Sequence, residues 1–342
     1  MSIRRGNTVI TTDDKVRFLG SPDAYATRPD VKVIETHMSW VFLAGGLAYK
    51  FKKPVRYPFL DFSTLDLRHG HCTAELTLNR RLAPRVYRRL VPLCLTGAGR
   101  LALGGKGEPV EWLVEMERLP DADMLDQRIL AGDVGRDAIV GVGHILGQFY
   151  ARASPERRSA EAHLNHLRTE TAVNRELLTQ AGYPLPQART RELLARVEGL
   201  LAECSADIAA RAANGWIVEG HGDLRPEHVC LVKEPQIIDC LEFDRNMRLL
   251  DPYDEVNYLG IECAFLGAPW VRPLLLDVVD SHLGRRPKPR VLATYGAFRA
   301  VLRARICLAH LLDPVPMQPD RWPGEAGRYL DLAEEECVKA GG

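Results

Sequence analysis

Residues 220–231 read GHGDLRPEHVCL. One carboxylate, Asp223, stands between Gly222 and Leu224, with His221 before it and His228 after it. The charged loop breaks directly into an apolar run. Taken alone, such a stretch suits a metal site, a surface turn or a loop that handles phosphate, and the flanking sequence has to choose. Immediately downstream, VCLV, KEP and QIIDC read as two short strands about a turn centred near Glu234. Counting outward from that turn predicts Asp239 nearly opposite Val229 and next to His228. CLEFD then adds Glu242 and Asp244. Acids that converge at the open end of a hairpin repel one another unless a cation or strong donors sit between them. A hard divalent ion held by oxygen ligands and phosphates, Mg²⁺, would resolve that repulsion.

The first third of the chain reads as strands with one helix between them. WVFLA (40–44), Gly45-Gly46 and LAYKFKK (47–53) form a β-hairpin pattern, because two glycines supply the positive φ that a two-residue turn requires. Counting from the turn pairs Phe42 with Tyr49 and Trp40 with Phe51, which makes one face aromatic. The other face carries Val41, Leu43, Ala48 and Lys50, with Lys52 two residues on. A lysine on a small apolar face is unusual. Ser63 is positioned to cap a helix, with Asp66 three residues on as the reciprocal acid, and the helix is predicted to run to about Leu82 before Pro84. VYRRLVPLCLTG and PVEWLVEME read as further strands, the second ending near Met116. Beyond Arg118 the pattern turns helical: Ile139, Val142, Leu146 and Tyr150 keep helical spacing, as do Leu193, Val197, Leu200, Leu201, Cys204 and Ile208. The expected layout is α+β, with a small antiparallel-sheet lobe over residues 1–117 and a larger, mainly helical lobe over 118–342.

Composition excludes several classes. Lys plus Arg and Asp plus Glu are both 45, so the formal net charge is zero, and no whole-protein field points to nucleic acid or an anionic membrane as partner. The eight cysteines form no CxxC pair and no tight Cys/His spacing, which argues against zinc. No apolar stretch resembles a signal peptide or approaches a membrane span, so reduced thiols and a cytoplasmic location are expected.

HGDLRPEHV (221–229), IIDCLEF (237–243) and DPYDEVNYL (251–259) together resemble the catalytic region of the aminoglycoside-phosphotransferase family, which has the protein-kinase-like fold. That family carries H-G-D-x-x-x-x-N, I-D-x-E and D-P-x-x-D-L. Ala48-Tyr49-Lys50 resembles its A-x-K strand, Glu75 falls in the following helix, and VEMERLP resembles its strand and hinge. The N-terminal stretch from ETHMSWVFL onward is similar to an uncharacterised bacterial subgroup of the family. Single motifs of this kind are weak, but their order and spacing together are specific.

The resemblance implies a bilobal fold and an ATP- or GTP-dependent, Mg²⁺-requiring kinase acting on a hydroxyl of an aminoglycoside-, sugar- or amino-alcohol-like acceptor. It implies that Asp223 orients or deprotonates the acceptor hydroxyl, that Asp239 holds Mg²⁺, and that Lys50, paired to Glu75, neutralises the α- and β-phosphates. Lys52 is the substitute if the strand register is off by two. Val41 and Ala48 would lie against the purine, Ser39 in the ETHMS turn over the phosphates, and backbone groups near Met116 and Glu117 along the adenine edge. Asp254 would support the catalytic loop. Asp251, Asp254, Glu255 and Glu262 are the acids available to a cationic acceptor.

Two departures bear on mechanism. His228 stands where the family has asparagine, and imidazole is a poor Mg²⁺ ligand beside an amide oxygen. His228 binding weakly, Glu227 or Glu242 taking over, and a slow or inactive nucleotide-binding regulator or scaffold are three competing consequences. Arg225, in a position where many relatives carry histidine, is suited to a phosphate or an acidic acceptor. No segment of useful activation-loop length separates Asp239 from Asp251, which disfavours a protein substrate.

Overall fold

The computed structural model describes residues 10–57, 60–156, 159–180, 182–312, 316 and 318–341. The chain forms two compact units, Met1–Asp123 with Cys230–Asn246, and Met124–Val229 with Met247–Gly342. The expected contiguous division at 117/118 is therefore corrected. The sheet-bearing unit reclaims residues 230–246 because their backbone is bonded into it: Leu231 N–H donates to Asp123 O (2.7 Å), Asp239 N–H to the Tyr87 hydroxyl (3.1 Å) and Cys240 N–H to Asn79 Oδ1 (2.8 Å).

The first unit opens with helix α1 (Thr12–Leu19), closed at its start by a capping box between Thr11 and Asp14. A six-stranded antiparallel sheet follows: β1 (Val31–Glu35), β2 (Ser39–Ala44), β3 (Leu47–Lys52), β4 (Tyr87–Leu95), β5 (Leu101–Leu103) and β6 (Glu108–Glu117), in the order β1-β2-β3-β6-β4-β5. The β2–β3 register is the predicted one, with Phe42 opposite Tyr49 and Trp40 opposite Phe51. Gly45 takes φ +61°, whereas Gly46, also expected at positive φ, does not, so one left-handed residue suffices for the turn. The aromatic face packs Phe42, Tyr49 and Phe51 with Val91, Leu93 and Leu113 under Leu19 of α1 and Tyr25. The opposite face packs Leu43, Ala48, Val114 and Met116 with Cys72 of helix α2 (Leu65–Asn79).

Helix α2 starts differently from its prediction. Thr64, not Ser63, accepts from Leu67 N–H (3.2 Å), while Ser63 is drawn back to Asp61 by its amide (2.9 Å) and hydroxyl (2.5 Å). It ends at Asn79 rather than Leu82. There the Asn79 amide donates to Glu75 O (2.9 Å) while its oxygen takes Cys240 N–H, so the side chain serves two segments at a helix end. The predicted hairpin after the loop is also shorter, a two-residue ladder of Val229–Cys230 with Gln236–Ile237. Asp239 lies beyond that ladder, at φ +62°. Its placement comes from a left-handed turn and not from strand register.

The second unit is helical: α3 (Leu125–Leu130), α4 (Arg136–Arg152), α5 (Ala160–Leu178), α6 (Gln187–Glu203), α7 (Ser205–Ala213), α8 (Arg245–Arg248), where the chain re-enters it, α9 (Pro252–Phe265), α10 (Val271–Leu283), α11 (Pro289–Ala309) and α12 (Arg321–Gly341). Val218–Glu219 and Leu249–Leu250 form a two-residue ladder that brackets the GHGDLRPEH loop in sequence. Helix α9 is buried nearly throughout, and Asp251 caps it by accepting from Tyr253 N–H (3.0 Å). No described helix is long and apolar enough to cross a membrane.

Candidate functional site

The sheet-bearing unit gathers two lysines and three acids. Lys50 and Lys52 occupy alternate positions of β3, so both side chains leave the same face toward α2. Lys50 Nζ lies 2.9 Å from Glu75 Oε1 and 2.5 Å from Asp239 Oδ1. Lys52 Nζ lies 2.6 Å from Glu75 Oε2 and 2.5 Å from Glu242 Oε1. One wholly buried carboxylate therefore bridges two ammonium groups, and each ammonium carries a second acid. Burial opposes charge on Lys50, but Asp239 and Glu75 outweigh it and hold the amine protonated. Burial likewise opposes ionisation of Glu75, yet Lys50 and Lys52 keep its pKa below the ordinary value. The two lysines differ in exposure: the Lys52 side chain is 1 % exposed and that of Lys50 15 %. The strand spacing already placed both on one face. Strand spacing alone does not show that both reach the same glutamate.

The nucleotide-facing residues named from the sequence fall on this face in part. Val41 and Ala48 join the cluster beside Lys50. Ser39 closes its turn through the backbone: Thr36 donates to Ser39 O by its amide (2.8 Å) and hydroxyl (3.0 Å), and Ser39 N–H returns to Thr36 Oγ1 (3.0 Å). The backbone near Met116 and Glu117, expected along the adenine edge, is partly engaged within the fold. Glu117 N–H is bonded to Val86 O (2.8 Å) and Arg118 N–H to Gly46 O (2.9 Å), so neither amide is offered to a base edge. Leu119, packed on the Ala48–Met116 cluster, is the next residue along.

In the helical unit, the GHGDLRPEH loop is fixed by a buried glutamate. Glu255 of α9 accepts from His221 N–H (2.9 Å), Gly222 N–H (2.5 Å) and the Tyr150 hydroxyl (2.5 Å). Burial raises the Glu255 pKa, and those three donors work against the rise. A Cβ on Gly220 would run into the Glu255 carboxylate, which requires glycine there. The loop support expected of Asp254 thus belongs to its neighbour, and Asp254 is paired to Arg299 (2.5 Å) instead. His221 is fully buried, and its Nδ1 accepts from Asp223 N–H (3.3 Å).

Asp223 is 27 % exposed at its side chain and meets Arg225 Nε at 3.1 Å. The Tyr258 hydroxyl stands 3.5 Å from its Oδ1. Burial pushes the Asp223 pKa up, but Arg225, His228 and Arg303 pull harder and leave it below the ordinary carboxylate range. His228 Nδ1 sits 2.8 Å from Asp223 O, and its Nε2 lies 3.5 Å from the Arg225 guanidinium. A carbonyl accepts, so Nδ1 carries a proton, and Nε2 faces a cation. This environment does not fit a Mg²⁺ ligand, and His228 is corrected to a residue that holds the loop. Among the described residues no group of three or more His, Cys, Asp or Glu side chains is arranged to hold a metal ion. Glu242, expected as a ligand, is on Lys52 instead. Asp239 does fit: a half-exposed hard oxygen donor is what Mg²⁺ takes when phosphates complete its shell.

The acids proposed for a cationic acceptor are all paired. Asp251 meets Arg211, Asp254 meets Arg299, and Glu262 meets Arg303 (3.1 Å) and the Tyr329 hydroxyl (3.0 Å). Glu255 holds the loop. An acidic pocket built from these four residues is therefore not present.

Comparison with known proteins places the fold. The whole chain has the protein-kinase-like fold of small-molecule kinases. A choline/ethanolamine kinase family protein from Mesorhizobium loti superposes with a TM-score of 0.53 at 15% identity, covering 97% of this chain and 100% of that one. A choline kinase from Cryptosporidium parvum gives 0.55 at 12% identity (96% and 97%), and the AMP-bound complex of a spectinomycin phosphotransferase gives 0.52 at 12% identity (95% and 98%). In sequence, uncharacterized proteins of Mycobacterium tuberculosis and Mycobacterium bovis are 31% identical over 297 residues, 84% of this chain. The match spans 57% of those relatives' own length. No family model matches.

Proposed function

We propose that this chain is a phosphotransferase that moves the γ-phosphoryl group of ATP or GTP to a hydroxyl of a small molecule. The observation that carries the reading is Lys50, held between Glu75 at 2.9 Å and Asp239 at 2.5 Å on the sheet-bearing unit. A strand lysine locked to a helix glutamate, beside an acid able to take Mg²⁺, is the equipment phosphoryl transfer needs for charge neutralisation. Lys50 would contact the α- and β-phosphates, with Val41 and Ala48 against the base. Asp239 would hold Mg²⁺, whose chemistry when bound is to neutralise the phosphate oxygens. Asp223 would orient the acceptor hydroxyl and take its proton, its carboxylate kept ionised by Arg225. Aminoglycosides, sugars and amino alcohols supply such a hydroxyl. Calorimetry should show magnesium-dependent ATP or GTP binding, and a screen of hydroxylated compounds should release ADP or GDP. No nucleotide binding at any magnesium concentration would end the proposal.

The second reading, a nucleotide-binding protein with lost catalysis, is favoured by His228 in the asparagine position. Since His228 bonds the Asp223 carbonyl, His228→Asn is expected to lower turnover roughly tenfold, the effect of one hydrogen bond. A large gain in turnover would instead mark the native loop as impaired and support the regulatory reading.

A further inference from the structure

Asp223 is set beside two arginines. Arg225 meets it at 3.1 Å, and Arg303 acts on it from farther off. Three of Arg225's nitrogens are already directed, toward Asp223 (3.1 Å), Glu227 (2.8 Å) and His228 (3.5 Å). Arg303, projecting from α11, is different. Its Nε lies 3.1 Å from Glu262, and its guanidinium stacks over the Tyr329 ring at 5.3 Å. Among the described residues Glu262 is the carboxylate within ion-pair distance of it, and Asp223 acts on it from farther off. Glu262 is itself shared with the Tyr329 hydroxyl, so its two oxygens serve two partners. The Arg303 side chain retains 13 % exposure. A guanidinium is a planar fork suited to carboxylate and phosphate oxygens.

A cationic acceptor needs the reverse. Choline-like or aminoglycoside-like ammonium groups are favoured by unpaired acids or an open aromatic face near the reacting hydroxyl. Here Asp251, Asp254 and Glu262 are matched to arginines, and the Tyr258 and Tyr329 rings already carry Arg299 (5.2 Å) and Arg303 (5.3 Å). Bringing a further positive charge beside Arg225 and Arg303 would be repulsive in a partly desolvated site.

We infer that the acceptor is an anionic hydroxy compound, its carboxylate or phosphate bound by Arg303 with help from Arg225 while its hydroxyl meets Asp223. This deepens the kinase reading and rests on it. No covalent step is added. Arg303 is a specificity-determining residue.

The test uses the full chain with Mg-ATP and two matched series of acceptors. The three-carbon series is glycerate, glycerol 3-phosphate, glycerol and 3-amino-1,2-propanediol. The six-carbon series is gluconate, glucose 6-phosphate, glucose and glucosamine. Calorimetry reads binding and ADP release reads turnover. The carboxylate or phosphate member of at least one series should bind about tenfold or more tighter than its neutral and cationic counterparts, the scale of one charge-assisted contact. Which of the two anions wins identifies the charged group.

Arg303→Gln combined with Glu262→Gln, which leaves no buried acid unpaired, should erase that preference, and Arg303→Lys should keep part of it. Neutral or cationic members binding as tightly as the anions, no member binding at all, or a preference that survives Arg303→Gln/Glu262→Gln would overturn the inference. Anion preference lost on Arg303 substitution, without ADP release from any member, would leave the anion site standing and defeat the kinase reading instead.

Discussion

Asp223→Asn is expected to lower phosphoryl transfer by roughly 10²- to 10⁴-fold, the usual contribution of a positioned general base, while nucleotide affinity stays within about twofold. The substitution preserves shape. It removes the charge that Arg225 meets at 3.1 Å and the oxygen that would receive the hydroxyl proton. Glu227 still partners Arg225 at 2.8 Å, and the loop remains fastened by Glu255 to His221 and Gly222, so the fold around the site should survive. The direction of the pKa shift adds a second readout. A carboxylate held below its ordinary range is ionised throughout mildly acidic and neutral solution, so native turnover should show no Asp223-dependent decline between about pH 5 and 8. The same depression makes the ionised form stabilising above the unfolded-state pKa, and that stability is lost only as pH falls through the lower folded value. Asp223→Asn should therefore flatten the acid side of the stability curve. A variant that turns over acceptor at the native rate would remove Asp223 from the chemistry.

Much of this was readable from residue order because the informative elements are local. The β2–β3 register follows from a two-glycine turn and alternating side chains, and it places Lys50 on the face opposite the aromatic residues. The motifs HGD, IID and DPYD point to the fold through their order, with Asp223, Asp239 and Asp251 spaced 16 and 12 positions apart. What failed depended on long-range choices among chemically similar neighbours. Asp254 and Glu255 are adjacent acids at one helix start, and only the packing of α9 decides which reaches the loop and which goes to Arg299. Ser63 and Thr64 are equally good caps until Asp61 claims the first. Strand extrapolation fails at Asp239, which adopts φ +62°, a conformation that Asp tolerates with no flag in the sequence. Residues 10–30 offered no motif, yet α1 covers the aromatic face of the sheet, and Lys15 with Arg68 holds the buried Glu111 at 2.9 and 2.8 Å. The motif position of His228 points to a metal ligand. Its partner, a backbone carbonyl five residues earlier, leaves no trace in the motif.

The two lysines of β3 should separate stability from nucleotide binding. Lys52 is 1 % exposed, and its Nζ sits between Glu75 at 2.6 Å and Glu242 at 2.5 Å and 5.0 Å from the Phe62 ring centroid. Lys52→Met leaves two acids, 0 % and 8 % exposed, with one fewer cation, and breaking a buried pair from one side costs about 3–5 kcal/mol. Urea denaturation at pH 7 should show a loss of that size. Lys50→Met leaves Glu75 on Lys52, and Asp239, 42 % exposed, can turn to water, so its cost should be nearer about 1 kcal/mol. Nucleotide affinity should respond in the opposite order, falling roughly 10²-fold in Lys50→Met, about 2.7 kcal/mol for a lost contact to phosphate charge. The pH dependence fixes the sign. Burial disfavours the Lys52 ammonium, but Glu242 and Glu75 raise its pKa above the unfolded value. Its stabilisation is thus fully present below the unfolded-state pKa and is lost only as strongly alkaline pH passes through the folded value. Glu75, depressed in the fold, begins to lose its share only in acid. The difference between native protein and Lys52→Met should accordingly stay constant from about pH 6 to 9. A Lys52→Met protein as stable as the native one but unable to bind nucleotide would reverse the roles of the two amines, making Lys52 the phosphate ligand and Lys50 the structural partner.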